Sequence, residues 1–151
     1  MPAALERSSG DAAGLAAATT LVGLGVLHGA WGLGAAWPCA DRAALAAAVQ
    51  GVSGERFPGP GACFAVATAL VTAAALVSAQ THGPASLRSV ARPGAAAVGA
   101  VLGARGAVGL LRPGLLPAGE QPPFARLNAL VYSPLCLALA GAVARSLRSG
   151  G

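Results

Sequence analysis

Residues 62–79 read ACFAVATALVTAAALVSA, eighteen positions without a charge and with nothing more polar than Ser, Thr or Cys. As an α-helix this run rises about 27 Å, and some 18–20 apolar residues are enough to cross a hydrocarbon core of about 30 Å. No polar stripe is left for water, so the solvent of this segment is lipid. Working outward from it, three further apolar stretches of similar length appear at 12–36, 94–111 and 127–143, separated by breaks that contain Gly, Pro and Arg. The reading is an all-α, polytopic membrane protein with four transmembrane helices in an up-and-down bundle.

Composition agrees independently of any one span. Charged residues make up 10% of the chain, hydrophobic residues 55%, and the mean hydropathy is +0.66. A soluble globular domain carries about 25% charged residues. The formal charge of +5 would raise the question of nucleic acid in a soluble protein. Here the arginines stand singly at span ends with no basic run between aromatics, which suits headgroups and topology control. No nucleic acid is expected as a partner; membrane lipids are. Arg without Lys, with abundant Ala, Gly and Pro, resembles the output of a high-GC bacterial genome.

The organisation follows. Residues 1–11 read as a polar N-terminal tail, 12–144 as a single four-helix transmembrane domain and 145–151 as a C-terminal tail. Arg7 is offset by Glu6 and Asp11, so no basic leader precedes the first apolar run, and this run is read as a retained helix. Within it Gly25, Gly29 and Gly32 form a small-residue stripe, as do Gly99 and Gly103 in the third span; such stripes let helices approach closely in lipid. They also leave room for a homo-oligomer. In the first loop, Ala43–Val49 is apolar behind Asp41 and reads as a short interfacial helix with Asp41 as its cap. Phe57 to Gly61 then forces a turn.

With four spans both termini share a face. That face holds Arg7, Arg88, Arg92, Arg145 and Arg148; the other holds Arg42, Arg56, Arg112 and Arg126. The small excess favours a plasma-membrane protein with cytoplasmic termini. The opposite face collects His28, Trp31, Trp37, Arg105, Arg112, Phe124, Arg126, Asn128 and Tyr132, so the polar and aromatic side chains gather under one rim.

Arg105 is the sharpest feature among them. A guanidinium at membrane depth costs about 2.5–3.5 kcal/mol on insertion scales and normally finds partners or water. No Asp or Glu lies in any span. The alternatives are snorkelling to the interface, an internal polar network with backbone carbonyls, Asn128 or Tyr132, a loop carboxylate, or an anionic ligand such as a lipid phosphate. Arg112, seven residues on, falls on the same helical face and could clamp a phosphate with it. His28 and Trp31 share a face. His28 is read as a structural hydrogen bonder, with proton transfer by His28 or Tyr132 as the alternative. Tyr132, Ser133 and Pro134 should bend the fourth helix, since proline removes a backbone donor. Ser133 lacks an evident base for nucleophilic work.

Cys39, Cys63 and Cys136 have no metal-site spacing, and neither metal nor cofactor is expected. Cys39 and Cys63 fall near one face, where a disulfide would form if that face is oxidising; unpaired thiols are the alternative.

The strings His28-Gly29-Ala30-Trp31-Gly32-Leu33-Gly34 with Trp37-Pro38, Leu110-Leu111-Arg112, Phe124-Ala125-Arg126-Leu127-Asn128 and Tyr132-Ser133-Pro134-Leu135-Cys136 resemble the bacterial domain-of-unknown-function family 3995. That resemblance implies a small multi-span membrane protein and an acidic residue where this chain has Asn128. It implies no activity. The expected role is therefore non-catalytic: a structural, accessory or ligand-holding protein of the bacterial plasma membrane. The alternatives are a membrane-embedded enzyme or lipid-phosphate module built on Arg105 and Arg112 with His28 or Tyr132, and a small oligomeric transporter or channel.

Overall fold

In the computed structural model, four helices are long and apolar enough to cross a membrane: Ala4–Gly32, Pro60–His82, Ala85–Leu111 and Phe124–Ser149. The structure describes residues 2–51, 58–116 and 121–149; Arg56 and Phe57, named above, lie outside them, as do Glu55, Pro117 and Glu120. Helix α1 runs Pro2–Gly32, α2 Arg42–Gln50, α3 Pro60–His82 and α4 Ala85–Leu111. The last span is composite: α5 (Phe124–Leu127), a π-helical turn (Asn128–Tyr132) and α6 (Ser133–Ser149). Among the described residues there is no β-strand.

The spans form a ring in which α1 packs on α3 and α6, and α4 packs on the same two. Alternating direction brings the start of α1 to the ends of α3 and α6, where Gly14 meets Thr81 and Gly10 meets Ser149. The mid-bundle core is Ala17, Ala18, Leu21, Ala74, Val77, Ala95, Leu139 and Val143. Most of each apolar window still faces outward, with only 17–28% of it buried inside the protein. Exposed Val26, Val71, Val101 and Leu130 are among the side chains that lipid must solvate.

Lipid tails are as apolar as Leu, so helix association here depends on close packing rather than on escape from water. The glycines supply it. A Cβ at Gly25 would stand 3.0 Å from Val71 Cγ2 and 3.2 Å from the Ala67 carbonyl oxygen, and one at Gly32 would press on the Phe64 ring. On α4 the stripe extends beyond the Gly99–Gly103 pair to Gly106, where a Cβ would come within 2.7 Å of Leu137 Cγ. These stripes are therefore used inside the bundle. Gly29 alone of them has open space beside it.

Several boundaries differ from the apolar runs, two helix starts most of all. The stretch expected to be a polar tail is helical from Pro2, and α4 begins at Ala85 rather than near residue 94. Hydropathy reports the solvent of a segment, not its backbone, and Ala, Glu, Arg and Ser in these turns are compatible with helix. At its other end α1 stops at Gly32, and Gly34 takes φ +100°, a left-handed conformation that suits glycine.

Candidate functional site

The short helix expected in the first loop is present as α2. Asp41 caps it, its Oδ1 accepting from the Ala44 N–H at 2.8 Å, and Gly51 closes it in the left-handed region. The α2 segment is tied to the rim of the bundle at two points. Arg42 Nη1 donates to the Trp31 carbonyl at 3.0 Å, and the Tyr132 hydroxyl donates to the Ala48 carbonyl at 3.1 Å. Trp31 is itself fixed, its Nε1 donating to the Trp37 carbonyl at 2.8 Å. Trp31, Leu45 and Cys63 form a small buried cluster with Leu27, Cys39 and Val49 packed against it.

Between α1, α2, α4 and the start of the last span lies a cavity of about 580 Å³. Leu24, Leu27, His28 and Trp31 form its α1 wall; Leu45, Ala48 and Val49 form the α2 wall. Phe124, Leu127, Val131 and Tyr132 close a third side, with Pro38 and Cys39 beside them. The Phe124 and Tyr132 rings lie 6.0 Å apart between centroids. Among the described residues Arg105 is the one charged residue on the wall. The size falls within the roughly 300–1,000 Å³ of ordinary small-molecule sites.

Arg105 joins an internal polar layer. Its Nη2 donates to Asn128 Oδ1 at 3.1 Å, and Asn128 is the hub of the layer. Asn128 Oδ1 also accepts from the Ser133 hydroxyl at 3.0 Å, while its Nδ2 donates to the Gly109 carbonyl at 2.8 Å. The π-turn makes this possible. Pro134 has no N–H to give, and the extra residue in the turn lets the Ser133 N–H reach the Asn128 carbonyl. Asn128 and Ser133 are thereby turned toward α4, which admits them because Gly109 has no side chain. A Cβ there would overlap the Ser133 hydroxyl and stand 2.7 Å from Arg105 Nη1.

The layer is not balanced. Arg105 Nη1 is buried without a hydrogen-bond partner, the one such side-chain N or O among the described residues. The groups that Arg105 meets are neutral, and no described carboxylate pairs with it. A charge-assisted hydrogen bond contributes about 1.5–3 kcal/mol, which offsets much of the insertion cost of a guanidinium but leaves its positive charge uncompensated at the wall of an apolar cavity.

Of the residues expected at the site, His28, Trp31, Arg105 and Tyr132 line the cavity, and Asn128 stands directly behind Arg105. Arg112 does not join them. It lies one residue past the end of α4 with φ −142° and ψ 59°, so it leaves the helical face that its spacing from Arg105 implied, and it is exposed. His28 Nδ1 lies 2.8 Å from the Leu24 carbonyl, and its ring stacks at a tilt on Trp31, 4.7 Å between centroids. Its hydrogen bond goes to its own helix. Cys39, Cys63 and Cys136 are all free thiols, the first two flanking the Trp31 cluster. Among the described residues no three His, Cys, Asp or Glu side chains gather as a metal set would. Sequence reading did not include Gly109, or Ser133 as a donor in the Arg105 layer; the five-residue step from Asn128 to Ser133 before a proline was the available signal.

A family profile described as "Protein of unknown function (DUF3995)" matches residues 21–143. The chain belongs to that family, and the matched stretch contains every residue of the cavity and of the layer behind it. No curated protein and no solved structure matches the chain.

Proposed function

We propose that this chain is a non-catalytic, ligand-holding protein of the bacterial plasma membrane, with both termini cytoplasmic, whose rim cavity holds an anionic lipophilic molecule. The observation that carries the reading is Arg105: a guanidinium that is the one charged group among the described residues of the cavity wall, with a neutral hydrogen-bond partner in Asn128 and one buried nitrogen without an acceptor. In a low-dielectric site an isolated charge is costly, and an anion brought beside it relieves that cost. The apolar walls select for a molecule that already partitions into lipid.

The catalytic alternative draws little support from the groups it would need. The Tyr132 hydroxyl is engaged with Ala48, and the Nδ1 nitrogen of His28 with Leu24. A phosphate clamp would need Arg112, which stands outside the cavity. The transporter alternative leaned on glycine stripes for assembly, and most of these are occupied by partners within one chain.

Native mass spectrometry from a mild detergent tests the reading. The expected spectrum shows the wild type with a retained anionic adduct that Arg105→Gln loses and Gln80→Leu keeps. A bare wild-type chain, or equal adducts on wild type and Arg105→Gln, would overturn it.

A further inference from the structure

The cavity also constrains the chemistry of its occupant. We infer that it takes a single-chain carboxylate amphiphile, a free fatty-acid anion drawn from the surrounding leaflet, rather than a phosphate monoester; the inference rests on the ligand-holding reading above.

Charge is the first argument. Among the described residues Arg105 supplies the cavity wall's one positive charge, and Arg112 is exposed beyond the helix end. One negative charge on the ligand neutralises the site. A phosphate monoester carries about −1.5 to −2 near neutral pH, and its excess charge would be left among apolar side chains at high cost.

Donor supply is the second. Arg105 Nη2 is already given to Asn128, which leaves Nη1 as its nitrogen without an acceptor. The other N–H and O–H groups on the wall are committed to backbone carbonyls: Trp31 Nε1 to Trp37, Tyr132 to Ala48, and the His28 Nδ1 nitrogen to Leu24. The two N–H groups of that one nitrogen match two carboxylate oxygens, whereas the three terminal oxygens of a phosphate monoester would exceed them. Shape is the third. Beyond Arg105 the walls are almost wholly aliphatic and aromatic, and about 580 Å³ gives room for one chain rather than for the glycerol and two chains of a phospholipid.

The chain has two tryptophans, so Trp37→Phe leaves Trp31, on the cavity wall, as sole reporter. The bond from Trp31 Nε1 goes to a backbone carbonyl and survives this change. Quenching of Trp31 by a brominated fatty acid, in the full chain in non-ionic detergent, is then competed with palmitate, hexadecyl phosphate and hexadecanol. Palmitate is expected to compete at concentrations at least tenfold lower than either of the others. Arg105→Gln should cost palmitate that advantage while Arg105→Lys keeps most of it. Hexadecyl phosphate competing as well as palmitate would overturn the carboxylate inference and leave the anion-holding reading standing. Hexadecanol competing equally, or no quenching at all, would overturn both. The comparison on the wild-type wall decides the matter even if Arg105→Gln does not fold.

Discussion

The bundle has a buried polar layer at each end, and they are built to different rules. At the end where the termini meet, Gln80 and Thr81 on α3 face Ser146 on α6. Gln80 Nε2 donates to the Ser146 carbonyl at 3.4 Å, and the Ser146 and Thr81 hydroxyls each lie 3.3 Å from Gln80 Oε1. Both hydroxyls also have carbonyls of their own helices within 3 Å, Val77 for Thr81 and Val143 for Ser146. That layer is neutral, closed and supplied with partners throughout. At the other end, Asn128, Ser133 and Gly109 support a guanidinium that has a nitrogen to spare and a cavity beside it. A satisfied layer fixes the register of helices. An unbalanced one, kept at a cost in stability, is where the ligand proposed above would complete the chemistry.

The comparison can be broken in four ways. Asn128→Leu has the largest expected effect, since it strips Arg105 and Ser133 of a shared acceptor inside the bundle. The loss should be about 3 kcal/mol, read as a lowered midpoint of unfolding in mixed detergent. Asn128→Asp sharpens the contrast instead. It supplies the missing negative charge from within, so the fold should persist while retention of an anionic ligand falls at least tenfold. Gln80→Leu should cost about 0.6–1.7 kcal/mol, the range measured for buried polar contacts between membrane helices, with ligand retention unchanged. Tyr132→Phe should cost about 0.5–1 kcal/mol, seen chiefly as faster amide exchange in α2, whose tie to the last span it removes.

Much of this architecture was legible in the chain. The four apolar runs fixed the number of spans, and alternation of direction placed His28, Arg105 and Tyr132 under one rim. Asp41 ahead of an apolar stretch was enough to announce α2. What the sequence withheld depends on distance along the chain. The cavity exists because α2 is held by a bond between residues 84 apart, and nothing local to Ala48 or Tyr132 signals it. Arg112 was misplaced because helical spacing assumes the helix continues, and α4 ends one residue too soon. The start of α1 was missed because a polar turn in water and a membrane-spanning turn can share one continuous backbone. Gly109 gave no sign of its role, since its contribution is the absence of atoms where Ser133 must enter.

The most direct measurement is photo-crosslinking with a diazirine fatty acid, adducts being mapped residue by residue on the full chain in lipid. The account expects them to concentrate on Leu24, Leu27, Leu45, Val49 and Val131 and to vanish from these positions in Arg105→Gln. Adducts spread over the outward side chains Val71, Val101 and Leu137, with no change in Arg105→Gln, would contradict it.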